Sequence, residues 1–193
     1  PAVALRGGRE SSMRLAIHAV GAGEAAGGVS AGNTGALMAM AKFVLKTLPG
    51  IDRPAIASYL PTENGDSIML DLGANIECSS DNLVQFAVMG EVFARIVFGI
   101  EKPTVGLLNV GVEDLKGNDV VKGAAAILQA ETHLPITFYG FIEGNDIAAG
   151  TVDVVGTGGF TGNVALKTAE GTAKFMSYKL REALTSSFMS TIG

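Results

Sequence analysis

Tryptophan is absent from these 193 residues, histidine occurs twice, and the one cysteine, Cys78, has no second cysteine in the chain to pair with. A disulfide framework and a multi-cysteine zinc site are both excluded, so a reducing, cytoplasmic setting is the simplest expectation. Cys78 itself reads as a small buried apolar residue. Charge is also scarce, at 17% of residues against about 25% in ordinary globular chains. The 19 acidic residues outnumber the 14 basic ones, for a formal charge of −5 and a pI near 5.0. That balance does not advertise the basic face that nucleic acid requires. No apolar run reaches the roughly 18–20 residues of a membrane span, and the first residues lack a secretory signal pattern.

Apolar residues are plentiful, at 48% with a mean hydropathy of +0.36, which excludes a disordered linker. Glycine is in excess: 26 residues, about twice average usage, without the three-residue period of collagen. Unusual backbone geometry or close backbone approach is therefore expected at several places. The chain opens on Pro1 rather than Met and stops at Gly193 directly after an apolar stretch, so a portion of a longer protein is expected.

Periodicity predicts helices over 11–20, 37–48, 81–98 (with Asp81 as its cap), 118–130 and 162–184. Short apolar runs predict strands at 54–59, 67–71, 104–108, 136–140 and 152–155, with a further strand end at Gly27–Ser30. The turn-rich segment 61–66 joins the first two of the main strands as an antiparallel pair. Strands alternating with helices define one α/β domain over 1–193, with a mostly parallel sheet covered on both faces. From about residue 165 to 193 a long amphipathic helix is expected, with Phe175, Met176, Leu180, Leu184, Phe188, Met189 and Ile192 around Lys174, Lys179 and Arg181. Packing on a partner copy and lying in a membrane interface both suit that pattern.

Four glycine-containing segments each follow a predicted strand: Ser30–Gly35, Asp71–Asn75, Asn109–Gly111 leading to Lys116-Gly117-Asn118, and Gly158–Asn163. The carboxyl ends of parallel strands line the ligand crevice of an open α/β sheet, and helix N-termini there favour anions. Helix capping accounts equally well for Asn33, Thr34 and Asn163, and turn formation for Asp71 and Asn75. Lys116 reads as a loop lysine, and His18 and His133 as surface residues. Asn163 and Lys167, four apart, share a helix face near its positive end. No G-x-S-x-G elbow, phosphate-binding G-x-x-x-x-G-K-[ST] loop, H-E-x-x-H or paired cysteine is present, so a covalent serine or cysteine mechanism has no support.

Six segments in order, Ser30–Met38, Gly50–Ala55, Leu70–Asn75, Val105–Gly111, Lys116–Asn118 and Gly159–Lys167, closely resemble the bacterial phosphate acyltransferases of the PlsX family. The resemblance implies transfer of a long-chain acyl group from acyl carrier protein to inorganic phosphate, giving acyl phosphate for phospholipid synthesis. It further implies a three-layer α/β/α fold similar to the isocitrate and isopropylmalate dehydrogenases and to phosphotransacetylase, a cytoplasmic homodimer, and no metal or nucleotide cofactor. A peripheral membrane contact at the inner face through the 165–193 helix is implied as well. The family's opening strand region and its C-terminal part are missing from this chain.

Phosphate is itself the nucleophile in that reaction, which fits the lack of an activated serine or cysteine. Asn33, Thr34 and Gly35 are then candidates for anion binding, and Lys116, Asn163 and Lys167 for charge or oxyanion stabilisation. Asp71 and Asn75 would position these groups, with Asn118, Glu143 and Thr161 as further substrate-binding candidates. An acidic carrier protein would dock on basic residues drawn from Arg6, Arg9, Arg14, Lys42 and Arg53. Two departures stand out. Gly158 occupies a position that is acidic in many relatives, and the residues around Glu143 differ from the family pattern. Coenzyme A thioester chemistry and a non-catalytic binding module are the alternative readings.

Overall fold

The computed structural model describes residues 8, 10–131, 133–134 and 136–185. Arg6, Arg9, Phe188, Met189 and Ile192 lie outside the described residues. Two helices come first, α1 (Ser12–Gly21) and α2 (Thr34–Leu45), and they pack on each other. The hairpin β1 (Ala57–Thr62) and β2 (Gly65–Leu70) follows, then α3 (Ser80–Phe93), β3 (Thr104–Leu108), α4 (Asp119–Ala130), β4 (Thr137–Ile142), α5 (Gly144–Ala149), β5 (Val154–Gly156) and α6 (Gly159–Leu184).

The helix starts are set by short polar side chains that take up backbone donors otherwise left without partners. Ser11 Oγ accepts from Arg14 N, Asn33 Oδ1 from Ala36 N, and Asn118 Oδ1 from Val121 N. Before α3 the cap is Ser79 rather than the expected Asp81. Ser79 and Asn82 exchange side-chain-to-backbone bonds as a capping box, and the reciprocal pair outcompetes a lone aspartate. The helix expected to run evenly to Phe98 changes to a π-turn over Ala94–Phe98 and ends on Gly99 at φ 71°.

The strands form one sheet in the order β1-β2-β5-β3-β4, antiparallel at β1/β2 and parallel elsewhere. β5, last in sequence, inserts between β2 and β3, so the crossover through α3 spans the gap that β5 fills. Side-chain alternation divides the core. Ile68, Leu70, Val105, Leu107 and Val154 face α3 and α4, where they meet Leu83, Phe86, Ala87, Ala124 and Leu128. Met69, Val152, Val155, Leu108 and Ile142 face the other side, covered by Ile147 of α5 and Ala165 and Leu166 of α6. The result is the expected three-layer arrangement. The expected strand end at Gly27–Ser30 is absent: the segment is irregular and Val29 is fully exposed, with no strand beside it to supply a ladder.

Because the four parallel strands point the same way, Leu70, Gly156, Leu108 and Ile142 end at one edge of the sheet. The 71–79, 157–158 and 109–118 segments and Glu143 follow directly at that edge. It is where open α/β sheets bind ligands.

Candidate functional site

Asp71 is the first residue beyond β2 and is fully buried. A carboxylate in that position must be saturated with donors. Oδ1 accepts from the backbone of Ile56 (2.9 Å), Gly73 (3.2 Å) and Ala74 (3.0 Å), and Oδ2 accepts from Asn75 N (2.7 Å) and Asn75 Nδ2 (2.9 Å). Asn75 Nδ2 also donates to Pro54 O at 2.9 Å. Asp71 and Asn75 are thus the internal frame of the 71–75 loop, with all these bonds directed at the protein itself.

The start of α6 clamps this loop from outside. Gly159 N and Cys78 Sγ both donate to Asn75 O, and Asn163 Nδ2 donates to Leu72 O at 3.0 Å. The Gly159-x-x-Gly162 spacing follows from the contact. A Cβ on Gly159 would stand 2.5 Å from Asn75 O, and one on Gly162 would collide with the Asp71 carbonyl oxygen. Two glycines three apart on one helix face let helix and loop backbones touch. Helix α6 therefore begins at Gly159, three residues before its expected start. Asn163 is a clamp within the second turn rather than a cap, while the N-cap Gly158 contributes no side chain.

Two clefts open on either side of the framed loop. The first, about 440 Å³, is lined by Thr34, Gly35, Met38, Ala39 and Lys42 of α2, by Arg53, Pro54 and Ile56, and by Gly73, Ala74 and Asn75. The first turn of α2 faces it, and two cations stand on its wall: Lys42, whose Nζ donates to Asp52 O, and Arg53, whose guanidinium donates to Glu77 O. The second, about 330 Å³, lies between the starts of α3, α4 and α6. Ile76, Leu83, Leu108, Val120, Val121 and Phe160 line it together with Glu77, Cys78, Asn118, Thr157 and Thr161. Arg53, Glu77 and Cys78 also border a third depression joining the two.

The candidate residues therefore divide. Thr34, Gly35 and Asn75 meet at the first cleft, with Asn33 capping the helix that faces it and Asp71 beneath. Asn118 and Thr161 meet at the second. Asn163 packs behind Gly73 and holds the wall of the first. Lys116, on an exposed loop, and Lys167, exposed and ion-paired with Glu170 at 2.9 Å, line neither cleft. Glu143 caps α5 beyond β4, its backbone N–H donating to Asp146 Oδ2. His18 and His133 are exposed, as expected.

Lys42 and Arg53, expected from sequence only as docking residues, stand on the cleft wall. The signal was present: Thr34, Met38 and Lys42 recur at i, i+4 and i+8, one stripe of a single helix. At Cys78, burial pushes the thiol above its ordinary value. The Gly159 N–H and Arg53 oppose that shift, and the Asp71 carboxylate adds to it.

The fold and its crevice define the class. A phosphotransacetylase from Staphylococcus aureus superposes over 84% of this chain and 56% of its own with a TM-score of 0.63 at 21% identity. One from Streptococcus pyogenes superposes over 83% and 55% with a TM-score of 0.65 at 20% identity. The chain thus has the phosphotransacetylase fold. The family is shown by sequence: the family model described as fatty acid synthesis protein matches residues 1–193, and the chain belongs to that family. Proteins called phosphate acyltransferase from Paramagnetospirillum magneticum and Rhodospirillum centenum are each 67% identical to it over all 193 residues. The chain spans 55% and 54% of the lengths of those two relatives.

Proposed function

We propose that this chain is part of an enzyme that transfers an acyl group from acyl carrier protein to inorganic phosphate. The observation that carries the reading is the 67% identity to phosphate acyltransferases over all 193 residues, a span that includes every segment that builds the crevice edge. In the reaction a phosphate oxygen attacks the thioester carbonyl carbon, the C–S bond breaks, and acyl phosphate and the carrier thiol leave. The protein's task is to hold an anion beside a carbonyl and to stabilise the tetrahedral oxyanion between them.

The first cleft suits the anion. Asn33, Thr34 and Gly35 present the start of α2, and Lys42 and Arg53 add positive charge. Asp71, Asn75 and Asn163 act as positioning residues that fix the loop on the opposite wall. The second cleft, where Ile76, Leu83, Leu108, Val120, Val121 and Phe160 stand beside Asn118, Thr161 and Glu77, is the one we assign to the acyl end of the thioester. Lys116 and Lys167 are exposed and line neither cleft, so their proposed role in stabilising the developing oxyanion requires that their side chains swing in when substrate is bound, and Glu143, at the end of β4, is kept as a further substrate-binding candidate. Loss of a donor to that oxyanion costs on the order of 100-fold in turnover. Wild-type turnover in both Lys167→Ala and Asn163→Ala would refute this placement of the site.

The same reading includes homodimerisation and a membrane contact through α6. Among the described residues no helix is long and apolar enough to cross a membrane, but Phe175, Met176, Tyr178, Leu180 and Leu184 are exposed along α6 near Lys174, Lys179 and Arg181. Flotation with anionic liposomes, lost on Phe175→Glu, is the expected behaviour; equal flotation of both forms contradicts it.

A further inference from the structure

The α1–α2 pair has a charge character opposite to that of the whole chain. Neither helix contains an acidic residue, although the chain carries a net −5. Arg14 and His18 of α1, Lys42 of α2 and Lys46 at its C-cap stand on these two elements. Their centre is aromatic. Phe43 is 57% exposed, with the Arg14 guanidinium 5.3 Å and the Lys46 ammonium 5.4 Å from its ring centroid. Leu15, Leu45 and Leu48 are exposed on the same two helices and the turn after them. An exposed ring with two cations within 5.4 Å of its centroid, on helices that also expose aliphatic side chains, combines a desolvatable anchor with a steering field.

The patch is continuous with the first cleft. Lys42, adjacent to Phe43 in sequence, lines that cleft together with Arg53. A body seated on Phe43 would therefore hold any arm it carries next to the candidate anion site.

We infer that the exposed face of α1 and α2, centred on Phe43 with Arg14, Lys42 and Lys46, is the docking surface for an acidic protein partner that delivers the thioester. The identity of the cargo rests on the acyl-transfer reading; the docking surface rests on charge complementarity and contiguity with the cleft. Helices of 10 and 12 residues are about 15 and 18 Å long, so side by side they offer a face of on the order of 300 Å². That is at the small end for protein interfaces and fits a partner that must leave after each transfer.

The test measures binding of acyl carrier protein to the wild type and to a double Arg14→Glu/Lys46→Glu variant, with thermal melts to establish folding. Phe43→Ala and the milder Lys46→Gln serve as second variants should charge reversal impair folding. Arg14, Phe43 and Lys46 are not among the residues lining the two clefts described above. The wild-type Kd is expected to rise at least 10-fold between 50 and 300 mM salt, and the double variant to bind at least 10-fold more weakly at low salt. Transfer from a short acyl-pantetheine thioester, which needs no docking, should be equal in both. Unchanged carrier-protein affinity in a folded variant overturns the proposal. So does a variant that keeps its carrier-protein affinity but loses binding to vesicles of anionic phospholipid, which would assign the patch to a membrane. Absence of acyl transfer from either donor, with docking intact, would refute the acyl-transfer reading and leave the surface standing.

Discussion

Asp71 shows how one residue type can be required for a site without facing its ligand. Its two oxygens accept five hydrogen bonds from Ile56, Gly73, Ala74 and Asn75 while fully buried. Replacing it by alanine orphans those donors at about 1–3 kcal/mol for the worst placed. Asp71→Ala is therefore expected to cost at least about 3 kcal/mol, which for a chain of this size lowers Tm by about 6–12 °C. A melting shift under 2 °C would show that the loop is framed by something else. Cys78 gives a second residue-scale test. With its thiol held above the ordinary value chiefly by burial, the residue is protonated at neutral pH and its thiolate fraction grows only at higher pH than for a free cysteine. Alkylation by iodoacetamide at pH 7.5 should be slower than that of a small-molecule thiol and should accelerate at more alkaline pH. Rapid modification at pH 7 would contradict the assignment. The sequence already shows Asp71 and Asn75 four residues apart, but a turn residue and a ligand look alike until the hydrogen-bond partners are seen, and here Ile56 N donates to Asp71 while Pro54 O accepts from Asn75 Nδ2.

Among the elements, α6 carries the sharpest contrast. Gly162 presses on the Asp71 carbonyl, whereas a Cβ on Gly171 in the same helix would meet nothing within 4 Å. Gly162→Ala should destabilise by about 1–3 kcal/mol through overpacking, and Gly171→Ala should stabilise by up to about 1 kcal/mol through helix propensity. Equal effects in urea titrations would mean that the loop contact does not constrain the helix. Much of the element plan was legible because it is written locally: Asn33 caps α2, a turn joins β1 and β2 as an antiparallel pair, and β3 spans the expected 104–108, whereas Asn118, expected as the first helical residue, is the N-cap of α4 and β5 begins two residues late. The errors arise where tertiary partners decide. Gly27–Ser30 has the composition of a strand end but no neighbour to pair with. The start of α6 shifted to Gly159 because a backbone contact, rather than a capping side chain, begins that helix. The change to a π-turn at Ala94 has no signature in the apolar period, which continues unbroken through Ile96 and Val97.

For the molecule as a whole, β5 inserted between β2 and β3 brings four parallel strand ends to one edge, where three of the 26 glycines, Gly73, Gly159 and Gly162, let loop and helix approach closely. The resulting crevice has one cleft carrying Lys42 and Arg53 and a second carrying Leu83, Leu108, Val121 and Phe160 beside Asn118 and Glu77, and residues of the 71–78 segment line both. The relatives are about twice as long as this chain, so the proposed activity is to be tested on a protein of the relatives' full length. The most direct measurement incubates that protein with an acyl carrier protein thioester and inorganic phosphate and follows release of the carrier thiol and formation of acyl phosphate. The account predicts one acyl phosphate per thiol released, dependence on phosphate, and preference for the carrier protein over a coenzyme A thioester of the same chain. Thiol release that is indifferent to phosphate, or no release from either donor, would contradict it.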